Sequence, residues 1–208
     1  MNRHSDNQKA KMKQLHIVTV GISLLTNYAK ASNLPLDKVF RHHKQLAEFL
    51  KVDPRASCSE VNSLDARTGL LRKKLPGFAV TLVYSATAGK EGHLAARLIG
   101  NFLKERGVEV AAIKLKDIGV PANPQADPVE AARLAEAGLI RLYDKLEGHV
   151  QKMKQQHPDL EIALNATGGY KAETAILYGL GCELGLPVYY LHETYRVAIT
   201  LPVCAAPF

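Results

Sequence analysis

Asn165, Thr167, Gly168 and Gly169 stand between an alternating apolar run, Leu160, Ile162 and Leu164, and a helical pattern carried by Ala172, Ala175, Ile176, Leu180 and Leu184. That order reads as strand, glycine turn, helix. Glycines let backbone N–H groups approach a ligand closely. A polar turn between a strand's carboxyl end and a helix start is where open α/β sheets hold anions. Lys171 adds a positive charge beside it. The same pattern also suits a plain tight turn with a surface lysine, because a lone glycine motif carries little information.

Two other stretches have the same character. Gly21-Ile22-Ser23-Leu24-Leu25-Thr26-Asn27 follows the β-rich run Leu15 to Val20. Ser23 and Thr26 there suit helix capping as well as ligand contact. Ser85-Ala86-Thr87-Ala88-Gly89-Lys90 follows the apolar run Phe78 to Tyr84. With Gly89 and Lys90 it could close over a ligand, or serve as an ordinary connection. None of the three is a Walker motif or a GxGxxG fingerprint.

The elements that must position these turns alternate along the chain. A helix is expected from Pro35 to about Leu50, another from about Glu60 to Leu75, and a third over Glu91 to Arg106. Val108 to Leu115 reads as a strand, Ile118 to Asp127 as a loop, and Pro128 to about Gln156 as a long helix. Gly185 stops the helix after the central turn, and Val188 to Leu191 is the next strand. Arg196 to Val203 alternates loosely, as a terminal antiparallel strand would. The fold class is α/β: a Rossmann-like, mostly parallel sheet with helices on both faces and a C-terminal antiparallel strand. Residues 1–13 are polar and basic and are expected to be a disordered terminus, with residues 14–208 as one domain.

The net charge of +7 and pI near 9.3 point to a polyanionic partner or to a solvated basic surface. No apolar run reaches the roughly 18 residues that span a bilayer, and no signal-peptide core opens the chain. Cys58, Cys182 and Cys204 lack CxxC spacing, which suits reduced thiols in a cytoplasmic protein. The His residues are scattered and His42-His43 falls in a polar helix, so a metal centre is not expected.

Val20 to Asn27 resembles the first-strand motif of CRISPR-associated Rossmann-fold (CARF) proteins, and Asn165 to Ala172 resembles their second motif. The helix after it and Pro187-Val188-Tyr189-Tyr190 match as well. The resemblance runs from Leu15 to Pro202. Ile22 departs from it, standing where the family usually has Thr.

That resemblance implies a homodimer binding a cyclic oligoadenylate, with cyclic tetra-adenylate favoured, across its two-fold axis, and neither a membrane nor DNA as partner. Many such proteins carry a fused HEPN ribonuclease with a closely spaced Arg–His pair. Arg141 and His149 are too far apart for one. A single-domain member looks like the ring nucleases, which use no cofactor and no metal. A ribose 2′-hydroxyl attacks its own 3′-phosphate. Lys171 would stabilise the growing charge, and Ser23 would hold the phosphate or orient the 2′-hydroxyl. Thr167, Gly168 and Gly169 would bind phosphate, and Asn27 and Ser85 ribose or base. The ligand-binding set implied also takes in Gly21, Ile22, Leu24, Ala86, Thr87, Asn165 and Tyr170. The competing reading is a non-catalytic sensor of the same ligand that controls a separate partner.

Overall fold

The computed structural model describes residues 11–85, 91–115, 127–192 and 194–203. Strands β1 (Gln14–Val20), β2 (Phe78–Ser85), β3 (Glu109–Leu115), β4 (Glu161–Asn165), β5 (Val188–Leu191) and β6 (Ala198–Leu201) form one sheet in the order β3-β2-β1-β4-β5-β6. Every pairing is parallel except β5 with β6. The strand order reverses direction at β1 and β4, the switch point where such sheets bind ligands.

Alternation along the strands feeds two cores. Val18, Val20, Val80, Leu82 and Tyr84 face one way, toward α1 (Ser23–Ser32), α3 (His43–Val52), α5 (Ser59–Thr68) and α6 (Glu91–Glu105). Leu15, Ile17, Ala79 and Val83 face the other way, toward α7 (Pro128–Gln156) and α8 (Lys171–Leu184). Both faces are covered, so the central strands read as continuous apolar runs. Asp127 caps α7 by accepting from the Val129 N–H at 3.1 Å, and Pro128 sits at its first turn, where no N–H is needed.

Three boundaries differ from the sequence expectation. The helix expected from Pro35 divides into α2 (Leu36–Val39) and α3. His42 stands at the break and its Nδ1 meets the Tyr28 hydroxyl at 3.1 Å, so it is not part of a solvated helix face. The helix expected to reach Leu75 ends at Thr68, because Gly69 takes a left-handed φ of 74°. Asp65 fixes the turn that follows by accepting from the Leu71 N–H at 2.9 Å. A short α4 (Pro54–Ser57), capped by Asp53, precedes α5. Of the basic terminus, Lys11 pairs with Asp159 at 2.8 Å and Met12 packs on the second core, while residues 1–10 lie outside the described residues. The expected loop over 118–127 also lies outside them, apart from Asp127. No helix among the described residues is long and apolar enough to cross a membrane.

Candidate functional site

Val18 of β1 pairs with Asn165 of β4. Three residues beyond that pair, one segment reaches Gly21 and the other Gly168. The two motifs therefore meet at the switch point. A Cβ on Gly21 would lie 2.9 Å from the Gly169 nitrogen. One on Gly168 would lie 2.7 Å from the Thr19 carbonyl oxygen and would collide with Glu60. Glycine is required at both places by the closeness of the turns to each other. The Thr19 hydroxyl donates to the Gly168 carbonyl at 2.6 Å and lies 3.3 Å from that of Asn165, locking the second turn onto β1.

Glu60, in the first turn of α5, is fully buried beneath both turns. Its Oε1 accepts the Gly21 N–H at 2.8 Å. Its Oε2 accepts the Ser23 hydroxyl at 2.6 Å, the Ser59 hydroxyl at 3.1 Å and the Cys58 thiol at 3.2 Å. Ser23 Oγ in turn accepts the Ser59 N–H at 3.1 Å. Burial, and then the Glu60 charge, pushes the Cys58 thiol well up, so it remains a neutral donor.

These bonds revise several expectations. Ser23 does not cap its own helix α1: its oxygen accepts the Ser59 N–H at the start of α5, and its proton goes to Glu60. Thr26 bonds back to the Ile22 and Ser23 carbonyls at 3.3 and 3.0 Å. The Gly21 N–H is committed to Glu60 and is not open to a ligand. The Leu24 side chain is wholly within the core. Asn165 is also fully buried. Its Nδ2 donates to Ser63 at 2.6 Å, and its Oδ1 accepts the Thr167 hydroxyl at 2.6 Å and N–H at 3.1 Å. It shapes the turn from within. The Thr167 hydroxyl further accepts the Leu191 N–H at 3.0 Å. Asn27 Nδ2 lies 3.2 Å from the carbonyls of both Ala56 and Ser57, tying α1 to α4. Ser85 ends β2, and Ala86 and Thr87, with the rest of the expected lid over 86–90, lie outside the described residues.

Other groups remain open. Among the described residues no acceptor pairs with the N–H groups of Gly168 and Gly169. α1 and α8 also start here, and each brings the positive end of a helix dipole. Lys171, the first residue of α8, is exposed and joins no ion pair among the described residues. Ile22 and Tyr170 expose their side chains beside these turns. The Tyr170 N–H donates to Glu173 Oε2 at 2.9 Å, and burial raises the Glu173 carboxyl above its usual range, against the effect of that bond.

A cleft of about 640 Å³ opens alongside, between α4 and α5 on one side and the β5–β6 connection on the other. Asn27 and Thr167 reach it from the two motifs, and Arg55, Tyr190, His192 and Arg196 join them. The Arg55 Nε donates to the buried Asp65 at 2.7 Å, which fixes that guanidinium. His192 Nδ1 lies 3.2 and 3.3 Å from the N–H groups of Thr194 and Tyr195. Accepting there puts the proton of the neutral ring on Nε2. No local pattern in the sequence marks Arg55, Glu60, His192 or Arg196; the fold assembles them from segments far apart.

A doubly wound sheet with two ligand-type turns at its switch point defines a Rossmann-like α/β protein. Residues 55–204 match the model of a CRISPR-associated protein family, Cas_APE2256, and the chain belongs to that family. No curated protein matches the chain. Protein VC1899 from Vibrio cholerae shares the fold, with a TM-score of 0.51 at 9% identity over 94% of this chain and 34% of that one. Can2 from Sulfobacillus thermosulfidooxidans, solved in complex with cyclic tetra-adenylate, gives 0.46 at 12% identity over 90% of this chain and 34% of that one. Enterococcus italicus Csm6, bound to cyclic hexa-2′-fluoro-hexa-dAMP, gives 0.48 at 11% identity over 87% and 33%. The chain spans about a third of the length of each of these proteins.

Proposed function

We propose that this protein binds a cyclic oligoadenylate, with cyclic tetra-adenylate the favoured ring, and cleaves it by metal-independent attack of a ribose 2′-hydroxyl, ending a CRISPR second-messenger signal. The observation that carries this reading is the meeting of the two CARF-like turns at the switch point, with open N–H groups and the uncommitted ammonium of Lys171 beside them. A ring of nucleotides carries one phosphate charge per unit. Paired helix starts and a lysine supply the complementary field. Lys171 stabilises charge on the phosphoryl oxygens as the 2′-oxygen attacks, and Ser23 orients the nucleophile. Thr167, Gly168 and Gly169 lie against phosphate, and Asn27 and Tyr170 against ribose or base. A ring of even symmetry fits a two-fold homodimer that presents each turn twice.

The second reading is a sensor that binds the ring without cleaving it. It is favoured by the commitment of Ser23 and Gly21 to Glu60, which makes that corner a structural joint. Incubation with cyclic tetra-adenylate in EDTA separates the two. Linear products ending in a 2′,3′-cyclic phosphate establish the nuclease. Tight binding without turnover establishes the sensor, and no binding removes both.

A further inference from the structure

Ser23 has one proton, and it is already given away. Its Oγ accepts the Ser59 N–H at 3.1 Å and donates to Glu60 Oε2 at 2.6 Å. The half-buried hydroxyl therefore keeps one lone pair and no proton for anything bound outside. It can accept a hydrogen bond from a ligand hydroxyl and cannot donate one to a phosphate oxygen. Glu60 behind it is fully buried, and no ion pair among the described residues includes it. Its neighbours within hydrogen-bond reach are all neutral donors: a backbone N–H, two hydroxyls and a thiol. A buried carboxylate without a cation is costly to keep. A helix start needs none, since a serine or aspartate cap serves it.

We infer that Glu60 is a positioning residue that acts through Ser23, orienting the serine oxygen as an acceptor for the attacking ribose 2′-hydroxyl and taking the relayed proton. This rests on the nuclease reading above. In the step, the 2′-hydroxyl proton passes to Ser23 Oγ as the Ser23 proton passes to Glu60 Oε2. The 2′-oxygen bonds to the adjacent phosphorus and the P–O5′ bond breaks. The departing 5′-oxygen takes a proton from water, and the Glu60 carboxyl returns its proton to solvent before the next turnover. The relay supplies the general base that no residue of either motif offers.

The test is single-turnover cleavage of cyclic tetra-adenylate in EDTA, with affinity measured in parallel. Glu60→Gln keeps size and an acceptor for the Gly21 N–H, but its amide donates to Ser23 Oγ and turns the serine proton outward. The expected result is a cleavage rate down by roughly 100-fold or more, as for loss of a general base, with affinity changed by no more than about threefold. In a Ser23→Ala background, Glu60→Gln should add nothing further to the loss, because both changes cut the same relay. A Glu60→Gln protein that cleaves at the wild-type rate overturns the inference and leaves the nuclease reading intact. So does an effect that multiplies with Ser23→Ala, or equal losses of rate and affinity. If Glu60→Gln does not fold, Ser23→Ala alone, which leaves Glu60 its other three donors, must lose rate with affinity kept. Wild-type protein that binds the ring without cleaving it removes the nuclease reading and this role with it.

Discussion

Gly21 and Gly169 stand so close that a methyl group on the first would lie 2.9 Å from the nitrogen of the second. The contact joins a turn near the start of the chain to one near its end, and it explains the first glycine without invoking a ligand. Gly21→Ala should force the turns apart and cost about 1–3 kcal/mol, the usual penalty for overpacking. Urea unfolding measures it. Affinity for the ring should fall with stability, because the strain lies within the site. A variant as stable as the wild type would mean that the turns yield easily and that the joint is loose.

Much of this arrangement was legible in the sequence. A β-rich run, a continuous apolar run and an alternating run marked β1, β2 and β4, and Gly185 marked a helix end. Gly69 did not stand out as a stop, because Leu70, Leu71 and Leu75 prolong the apolar periodicity past it. Glu60 reads locally as an ordinary first-turn acid, and its burial depends on β1 and β4 passing above α5. The cleft was illegible for a similar reason. Arg55 and Arg196 meet across it only when the β5–β6 connection folds over α4 and α5. The turn motifs announced the corner at the switch point, while the residues that wall the cleft beside it come from segments without motif.

His16 offers a test of the buried core by pH. It lies within β1, with Nδ1 2.6 Å from the hydroxyl of the fully buried Tyr189 and its ring edge-on to Phe78. Burial, and then the nearby Arg67, lowers it from the ordinary 6.5 to about 4. Between those values the unfolded chain binds a proton that the folded chain refuses. Stability therefore falls as pH drops from 6.5 to 4, by up to about 3 kcal/mol from this group. His16→Gln should flatten that part of the stability profile measured by urea melts. A profile of unchanged slope would place the acid sensitivity elsewhere.

Arg196 tests whether the cleft belongs to the ligand site. It stands on the β5–β6 connection with a left-handed φ of 51° and an exposed side chain. If a ring phosphate reaches the cleft, Arg196→Ala should weaken binding about tenfold, with a smaller salt dependence of affinity, and should leave folding stability nearly unchanged. Equal affinity for both proteins across a salt titration would confine the ligand to the two turns. Arg55 is less suited to this test, because its loss would also strip the buried Asp65 of its cation.

The assembly is tested separately. If a symmetric ring is held by two copies of each turn, as proposed, sedimentation at micromolar concentration should show a homodimer. Fully active monomer would mean that one set of turns suffices.

Lys171 separates binding from chemistry. As the first residue of α8 it sits at the positive end of a helix dipole, where a cation is mildly disfavoured and a bound anion offsets the cost. If it only holds the ground-state phosphate, Lys171→Ala should weaken affinity and leave the turnover of saturated protein intact. If it stabilises charge that grows during attack, the loss falls on the rate. Removing one preorganised donor typically costs ~100- to 1,000-fold. The expected result is a single-turnover rate down by roughly that factor, with affinity down about tenfold or less. Lys171→Arg should rescue only in part, since a planar fork does not reproduce a compact ammonium. In the proposed reaction the Glu60 relay and Lys171 act on different atoms, one on the attacking oxygen and one on the phosphoryl oxygens. Their losses should therefore multiply in Lys171→Ala/Glu60→Gln, whereas those of Glu60 and Ser23 should not. A Lys171→Ala protein that cleaves at nearly the wild-type rate under single-turnover conditions would remove the lysine from the chemistry and leave Ser23 as the only side chain at the reacting atoms.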